Sequence, residues 1–331
     1  MACHSIHQFK KGCIDSIIRH MVDARPQLDI IKDAAYFKVL KKDMRRQQMR
    51  RAAKKLGNLY EILFKHPLWQ KKSDTSKTDP RRPKLSVCIM TMNSADRIAP
   101  LLKYSRDFSD EIVVGVDSKT TDATLEVCQK LADVAFVIES TALTCNAGLE
   151  ALVSRCTGDW VLRLDDDEYP EPLLKTFLPG LLMTDSSITH YKLPRLHLSS
   201  VSPLAWINDS YLYPDYQMRL FRNDRALLTF PGAVGHLGIQ CAGKKGRVNT
   251  VNLVHLNLAI NPRYKREEKL KTYIQRLNGG WVHPVNEQAL LFEAFNFREE
   301  PYTSKVTSFD NLLREVTLHQ REKYEGDSQK Q

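Results

Sequence analysis

The stretch GDWVLRLDDDEYPEP, residues 158–172, opens as a buried strand and closes on four consecutive acids. Trp160, Val161, Leu162 and Leu164 read as core positions, and Asp165, Asp166, Asp167 and Glu168 follow. Adjoining carboxylates repel one another, so the run is either solvated at a loop or holds a cation. In an extended chain the side chains at i and i+2 point the same way. That predicts Asp165 and Asp167 facing one site while Asp166 faces away. Two hard oxygen donors at this spacing suit Mg²⁺ or Mn²⁺, which keep water and phosphate ligands beside a few carboxylates.

The residues upstream give the turn its setting. LSVCIM (85–90), EIVVGV (111–116), VAFVIE (134–139) and DWVLRL (159–164) are short apolar runs of strand length. Helical patterns separate them, around Ile98, Leu101 and Leu102, over TDATLEVCQKLA (121–132) and over NAGLEALVSRC (146–156). Apolar strands alternating with helices predict an α/β fold with a parallel sheet covered on both faces and right-handed crossovers. Ligands of such sheets bind beyond the carboxyl ends of the strands, where Asp117 and Asp165 fall.

The 331 residues carry a net charge of +10, unevenly placed. Residues 1–84 hold 21 basic and 8 acidic side chains, and the remainder holds 28 basic and 31 acidic. The basicity belongs to an N-terminal extension, residues 1–70, helical by pattern and joined by a polar linker over 71–83. No apolar run reaches the roughly 20 residues that cross a bilayer, and the first residues lack the apolar centre of a signal peptide. Seven cysteines without a CxxC pair read as reduced thiols. Beyond residue 185 the pattern loosens. It includes THYKLPRLHL, a Tyr/Pro-rich loop YLYPDYQMRLFRN, a glycine-punctuated stretch from Pro231 to Gly246 and a strand TVNLVHLNL. Helical patterning returns over 266–331.

KLSVCIMTMNSADRIAPLL, DEIVVGVDSKTTDAT and GDWVLRLDDDEYPEP, in that order and spacing, resemble the family 2 glycosyltransferases of the GT-A fold. The nearest branch in pattern adds sugars to bacterial surface glycolipids and capsules. The resemblance spans residues 84–265 and implies a Rossmann-like, mostly parallel sheet flanked by helices, with helical N- and C-terminal extensions. It implies a nucleotide-sugar donor, a UDP-sugar first, bound by Thr91, Asn93, Asp117, Asp165 and Arg219. It also implies a Mn²⁺ or Mg²⁺ ion held by Asp165 and Asp167, with His255 as a further ligand. YPDYQMRLFRN resembles the segment that supplies the general base, which falls on Asp215. Lying near a diphosphate and other acids, that carboxylate is expected to have a raised pKa. His236 stands where relatives carry a His-Glu pair, here His-Leu. Gly232, Gly235 and Gly238 suggest a loop that closes over the site.

The implied reaction is inverting transfer of a sugar to a glycan or glycolipid hydroxyl. The expected place is cytoplasmic, peripheral at the inner membrane face, with the basic extension on anionic lipid. Two other readings compete. A metal-dependent nucleotidyltransferase would carry a glycine-rich loop after the first strand, and TMNSADR has no glycine. A nucleic-acid binder would use the run KKDMRRQQMRRAAKK, but no reading motif accompanies it, so no specific nucleic acid is expected.

Overall fold

A computed structural model describes residues 82–139, 148–184, 187–209, 212–231, 238–268 and 298–328. The basic extension over 1–70, most of the linker, and the loop bearing Gly232, Gly235 and His236 lie outside those residues. The first half alternates as the sequence predicts. β1 (Leu85–Thr91), α1 (Ala95–Arg106), β2 (Glu111–Asp117), α2 (Thr124–Leu131), β3 (Val134–Ile138), α3 (Leu149–Ser154) and β4 (Trp160–Asp165) follow one another. β1 pairs in parallel with β2 and β4, and β2 pairs in parallel with β3. Both faces are covered. Val87, Ile89, Val114 and Leu162 pack with Ile98 and Leu101 of α1 on one side, while Cys88, Val113 and Val161 pack with Leu149 and Leu152 of α3 on the other. Burying each such aliphatic side chain contributes about 1.5–3 kcal/mol. Gly158 lets β4 enter against β1, since a Cβ there would lie 2.7 Å from the backbone nitrogen of Ser86.

The second half adds β5 (Glu168–Pro170), α4 (Leu173–Leu182), β6 (Ile188–Val201), β7 (Leu204–Ile207) and β8 (Asp215–Arg222). β9 (Leu228–Thr229), β10 (Gln240–Cys241), β11 (Lys244–Arg247) and β12 (Leu253–His255) come next. α5 (Asn257–Ile260), β13 (Glu299–Pro301) and α6 (Thr307–Ser328) close the described chain. The sheet runs β13–β7–β6–β8–β4–β1–β2–β3, with β11 and β12 alongside β6. It is parallel from β3 to β4 and turns antiparallel at β8 and β6. This is the expected α/β arrangement, a mostly parallel sheet at its start flanked by helices.

Two local readings are corrected. YLYPDYQMRLFRN is a loop only at its start, because from Asp215 it forms β8, inserted between β4 and β6. Gln217 and Arg219 hide its strand character, as both are polar yet spent on partners within the sheet. TVNLVHLNL stops being a strand at His255, and the chain turns helical at Asn257.

β4 ends at Asp165 and the chain turns at once, so the alternation expected of an extended run stops there. Asp166 does face away, into the β1–α1 loop, where Thr91 Oγ1 donates to its Oδ2 at 2.7 Å and Arg97 Nη2 at 2.9 Å. Ser94 donates its hydroxyl to the same oxygen, although its place before α1 would suit it to cap the helix. Asp166 thereby staples the acidic turn to the first strand. Its side chain and that of Arg97 are 16% and 17% exposed. Asp166→Ala should therefore cost about 2–4 kcal/mol in urea unfolding, since it strands a nearly buried guanidinium, while Asp167→Ala should cost about 1 kcal/mol or less. Equal unfolding midpoints for the two variants would refute the staple.

Candidate active site

Strand register assembles the site. Thr91, Asp117 and Asp165 end three neighbouring parallel strands, with Met90 opposite Asp165 and Thr91 opposite Val116. Asn93 follows β1 in the left-handed region, at φ 50, a conformation asparagine tolerates. Its Oδ1 accepts from the backbone nitrogen of Thr121 at 2.8 Å, tying the β1–α1 loop to the loop after β2. Asp117 accepts from the backbone nitrogen of Lys119 at 2.8 Å, closing a tight turn. Thr91, Asn93 and Asp117 thus lie at the ends of neighbouring strands, Thr91 buried with its hydroxyl on Asp166 and Met92 exposed beside it.

The three aspartates part company at the turn. The Asp165 carboxylate is engaged by Arg163 and Arg219, with Arg195 Nη1 at 3.9 Å. Asp167 turns instead to His255, whose Nε2 lies 3.4 Å from its Oδ2. β12 places that histidine, because it pairs with β5 and β6 so that His255 is opposite both Glu168 and His197. The two imidazoles meet at Nδ1, 3.0 Å apart, so one ring donates and the other accepts. Burial, then His255 and Arg195, push the pKa of His197 well below its usual value, so the ring is neutral.

Arg219 is buried, and this decides its role. It donates Nε to Glu168 Oε2 at 2.9 Å and Nη2 to Glu168 Oε1 at 2.6 Å. It is a structural partner of the acidic turn. Glu168 is fully buried. Burial pushes its pKa well up, Asp165 and Asp167 add to the push, and Arg195 and Arg163 oppose it. Arg195 Nη1 reaches Glu168 Oε1 at 3.1 Å.

Asp215 opens β8 opposite Arg195 of β6. Its Oδ2 accepts from Arg195 Nε at 3.0 Å and lies 2.7 Å from Nη2, while its Oδ1 accepts from Gln217 Nε2 at 2.8 Å. The expectation of a raised pKa is corrected. Burial alone would raise it, but the Arg195 guanidinium, helped by the hydrogen bond from Gln217, holds it below the ordinary carboxylate value.

Sequence reasoning missed Arg97, Arg163, Arg195, His197 and Glu168. Glu168 sat in view as the fourth acid, and the one readable signal for the rest was the arginine count needed to neutralise four acids. Among the described residues no group of three or more His, Cys, Asp or Glu side chains is arranged to hold an ion. Asp167 and His255 supply two donors, an oxygen and a nitrogen that suit Mn²⁺ or Mg²⁺ when phosphate and water fill the other positions. Among the described residues no helix is long and apolar enough to cross a membrane. Cys88, Cys128 and Cys156 are buried free thiols, consistent with the reduced reading.

Comparisons with known proteins match part of the chain. Residues 86–189 match the family model for glycosyl transferase family 2. An uncharacterized glycosyltransferase of Rickettsia conorii is 35% identical over 85 residues, 26% of this chain and 29% of that protein. Its counterpart in Rickettsia prowazekii is 35% identical over 85 residues, 26% of this chain and 28% of its own length. The chain therefore spans less than a third of the curated relatives it matches. Among solved structures, a mannosyltransferase of Pyrobaculum calidifontis in complex with GDP-Man and Mn²⁺ gives a TM-score of 0.38 at 15% identity, over 85% of each chain. Glucosyl-3-phosphoglycerate synthase of Mycobacterium tuberculosis, with Mn²⁺, UDP-glucose and phosphoglyceric acid, gives 0.28 at 22% identity, over 33% of this chain and 43% of that one. The parallel strands and the acidic turn they lead to thus lie in a stretch, residues 86–189, that matches glycosyl transferase family 2.

Proposed function

We propose that the protein is an inverting, divalent-cation-dependent glycosyltransferase that moves a sugar from a nucleotide-sugar, a UDP-sugar first, to an acceptor hydroxyl. The observation that carries this is the pairing of Asp167, in the turn that follows β4, with His255, 3.4 Å apart. Asp167 and His255 would hold Mn²⁺ or Mg²⁺. Such an ion offsets the negative charge gathering on a departing nucleoside diphosphate. His197 serves the same end, since a neutral ring accepting the Nδ1–H of His255 leaves the His255 Nε2 lone pair facing Asp167. Asp165, at the end of β4, would face the donor.

Thr91, Asn93 and Asp117 would bind the nucleoside, with Asp117 accepting from hydroxyl or imide hydrogens. Asp215 would act as the base. Its Oδ1 takes the proton of the acceptor hydroxyl as that oxygen bonds to the anomeric carbon and the bond to the diphosphate breaks. With Oδ2 committed to Arg195, that oxygen keeps one lone pair beside its bond to Gln217. The acceptor is placed among surface glycans or glycolipids. The basic segment 1–70 would bring the protein to anionic lipid at the cytoplasmic face, a reading supported by its charge alone.

Two measurements test the assignment. Titration with Mn²⁺ and UDP should show cation-dependent nucleotide binding. Asp167→Ala or His255→Ala should weaken Mn²⁺ binding by about 10- to 100-fold while each variant still unfolds cooperatively. Wild-type affinity in both variants would remove the cation site. A screen of UDP-sugars for slow hydrolysis needs no acceptor and names the donor. With that donor, Asp215→Asn should bind it normally yet turn over about 100- to 10,000-fold slower. Unchanged turnover would place the base elsewhere.

A further inference from the structure

The proposed reaction names a base on one side of the sugar and a cation on the other, and leaves open what fixes their separation. Asp215 and Asp167 belong to different strands, β8 and the β4–β5 turn, and the pairings of β8 run to β4 and β6. A chain of charged contacts closes that gap. Arg195 places Nε and Nη2 on one oxygen of Asp215, at 3.0 and 2.7 Å, and sends Nη1 to Glu168 at 3.1 Å. Glu168 follows Asp167 in sequence, is opposite His255 in the β5–β12 ladder, and is gripped from its far side by Arg219. One planar guanidinium therefore touches both halves of the site.

We propose that Arg195, anchored on Glu168, is the positioning residue of this enzyme, holding the Asp215 carboxylate at a fixed distance and rotation from the Asp167–His255 pair. The inference rests on the reading of Asp215 as base. Its chemistry is particular to arginine. The fork binds Oδ2 through two nitrogens and leaves Oδ1 to Gln217 and the acceptor hydroxyl. The third nitrogen then ties that orientation to the acidic turn. A lysine ammonium is a point charge that does not hold two carboxylates in a set plane. Arg195 is 17% exposed, so a small cation can reach the space its side chain would leave.

The test is Arg195→Ala in the full-length protein, assayed for UDP-sugar hydrolysis with Mn²⁺, using the sugar the wild type turns over fastest. Water then stands in for the acceptor hydroxyl. A base displaced by about an ångström should lower kcat about a hundredfold. The KM for the UDP-sugar should stay within about threefold, because donor contacts lie elsewhere. Added guanidinium chloride, at concentrations well below those that unfold the protein, should restore much of kcat in Arg195→Ala and none in Asp215→Asn. A residue that merely supports the fold gives no such rescue.

Wild-type kcat in Arg195→Ala overturns the proposal, as does a loss without rescue or one dominated by a higher KM. If the alanine variant does not fold, Arg195→Lys replaces it. Lowered kcat at unchanged KM supports positioning by the fork, and wild-type kcat refutes it. Asp215→Asn separates the two claims. Full turnover there removes the base reading and this inference with it. Lost turnover there beside full activity in Arg195→Ala leaves the base and removes only the positioning role.

Discussion

Everything at the strand-end rim depends on charge compensation around one buried carboxylate. Glu168 has no exposed surface and accepts hydrogen bonds from two guanidinium groups, Arg195 and Arg219, which come from two different strands. Four acids in succession are tolerable only because four arginines, from α1, β4, β6 and β8, converge on them or their neighbours. Removing one member would leave an uncompensated buried charge, which is far costlier than never having built the pair. The acidic turn is therefore held by its own electrostatics, and the proposed cation site is held with it.

Such a network is a poor way to gain stability alone, since well-packed apolar side chains of similar volume often do as well or better. Its retention makes sense if it sets geometry. The antiparallel half of the sheet, β6 and β8, supplies Arg195, Arg219 and Asp215, while the parallel half supplies the rim of Thr91, Asn93 and Asp117. β12 then brings His255 to the seam between them. The division follows from topology: parallel strands end together and make a rim, and an antiparallel neighbour crosses that rim with its own side chains.

The parallel half was legible because buried strands read as unbroken apolar runs, as in EIVVGV, and because the intervening helices have length and periodicity. β8 and the end of β12 were not, since DYQMRLFR alternates polar residues whose partners are distant in sequence. The function of the middle aspartate was half legible. Alternation turned Asp166 away correctly, but the turn after Asp165 broke the same rule for Asp165 and Asp167. Arg195, at the centre of the charge network, sits in LPRLHL without any local mark, and only the pairing of β6 with β8 reveals it. Long-range ion pairs leave no periodic trace, so the site's chemistry was visible as residue types and its wiring was not.

The lowered pKa of Asp215 bears on its proposed role as base, in the proposed transfer to an acceptor hydroxyl. A general base works best with a pKa near the working pH, so a carboxylate held low surrenders driving force for proton transfer. In return it is ionised at every physiological pH and needs no titration to become competent. The acceptor hydroxyl is itself a very weak acid until its oxygen begins to bond to the anomeric carbon. Proton transfer is then late and coupled to bond formation, where placement of the oxygen counts for more than basicity. The guanidinium that depresses Asp215 is the one that aims it, so the two effects cannot be separated in this chain. A sheet that gave Asp215 a higher pKa by withdrawing Arg195 would also let it rotate, and a stronger base pointed elsewhere is no base at all.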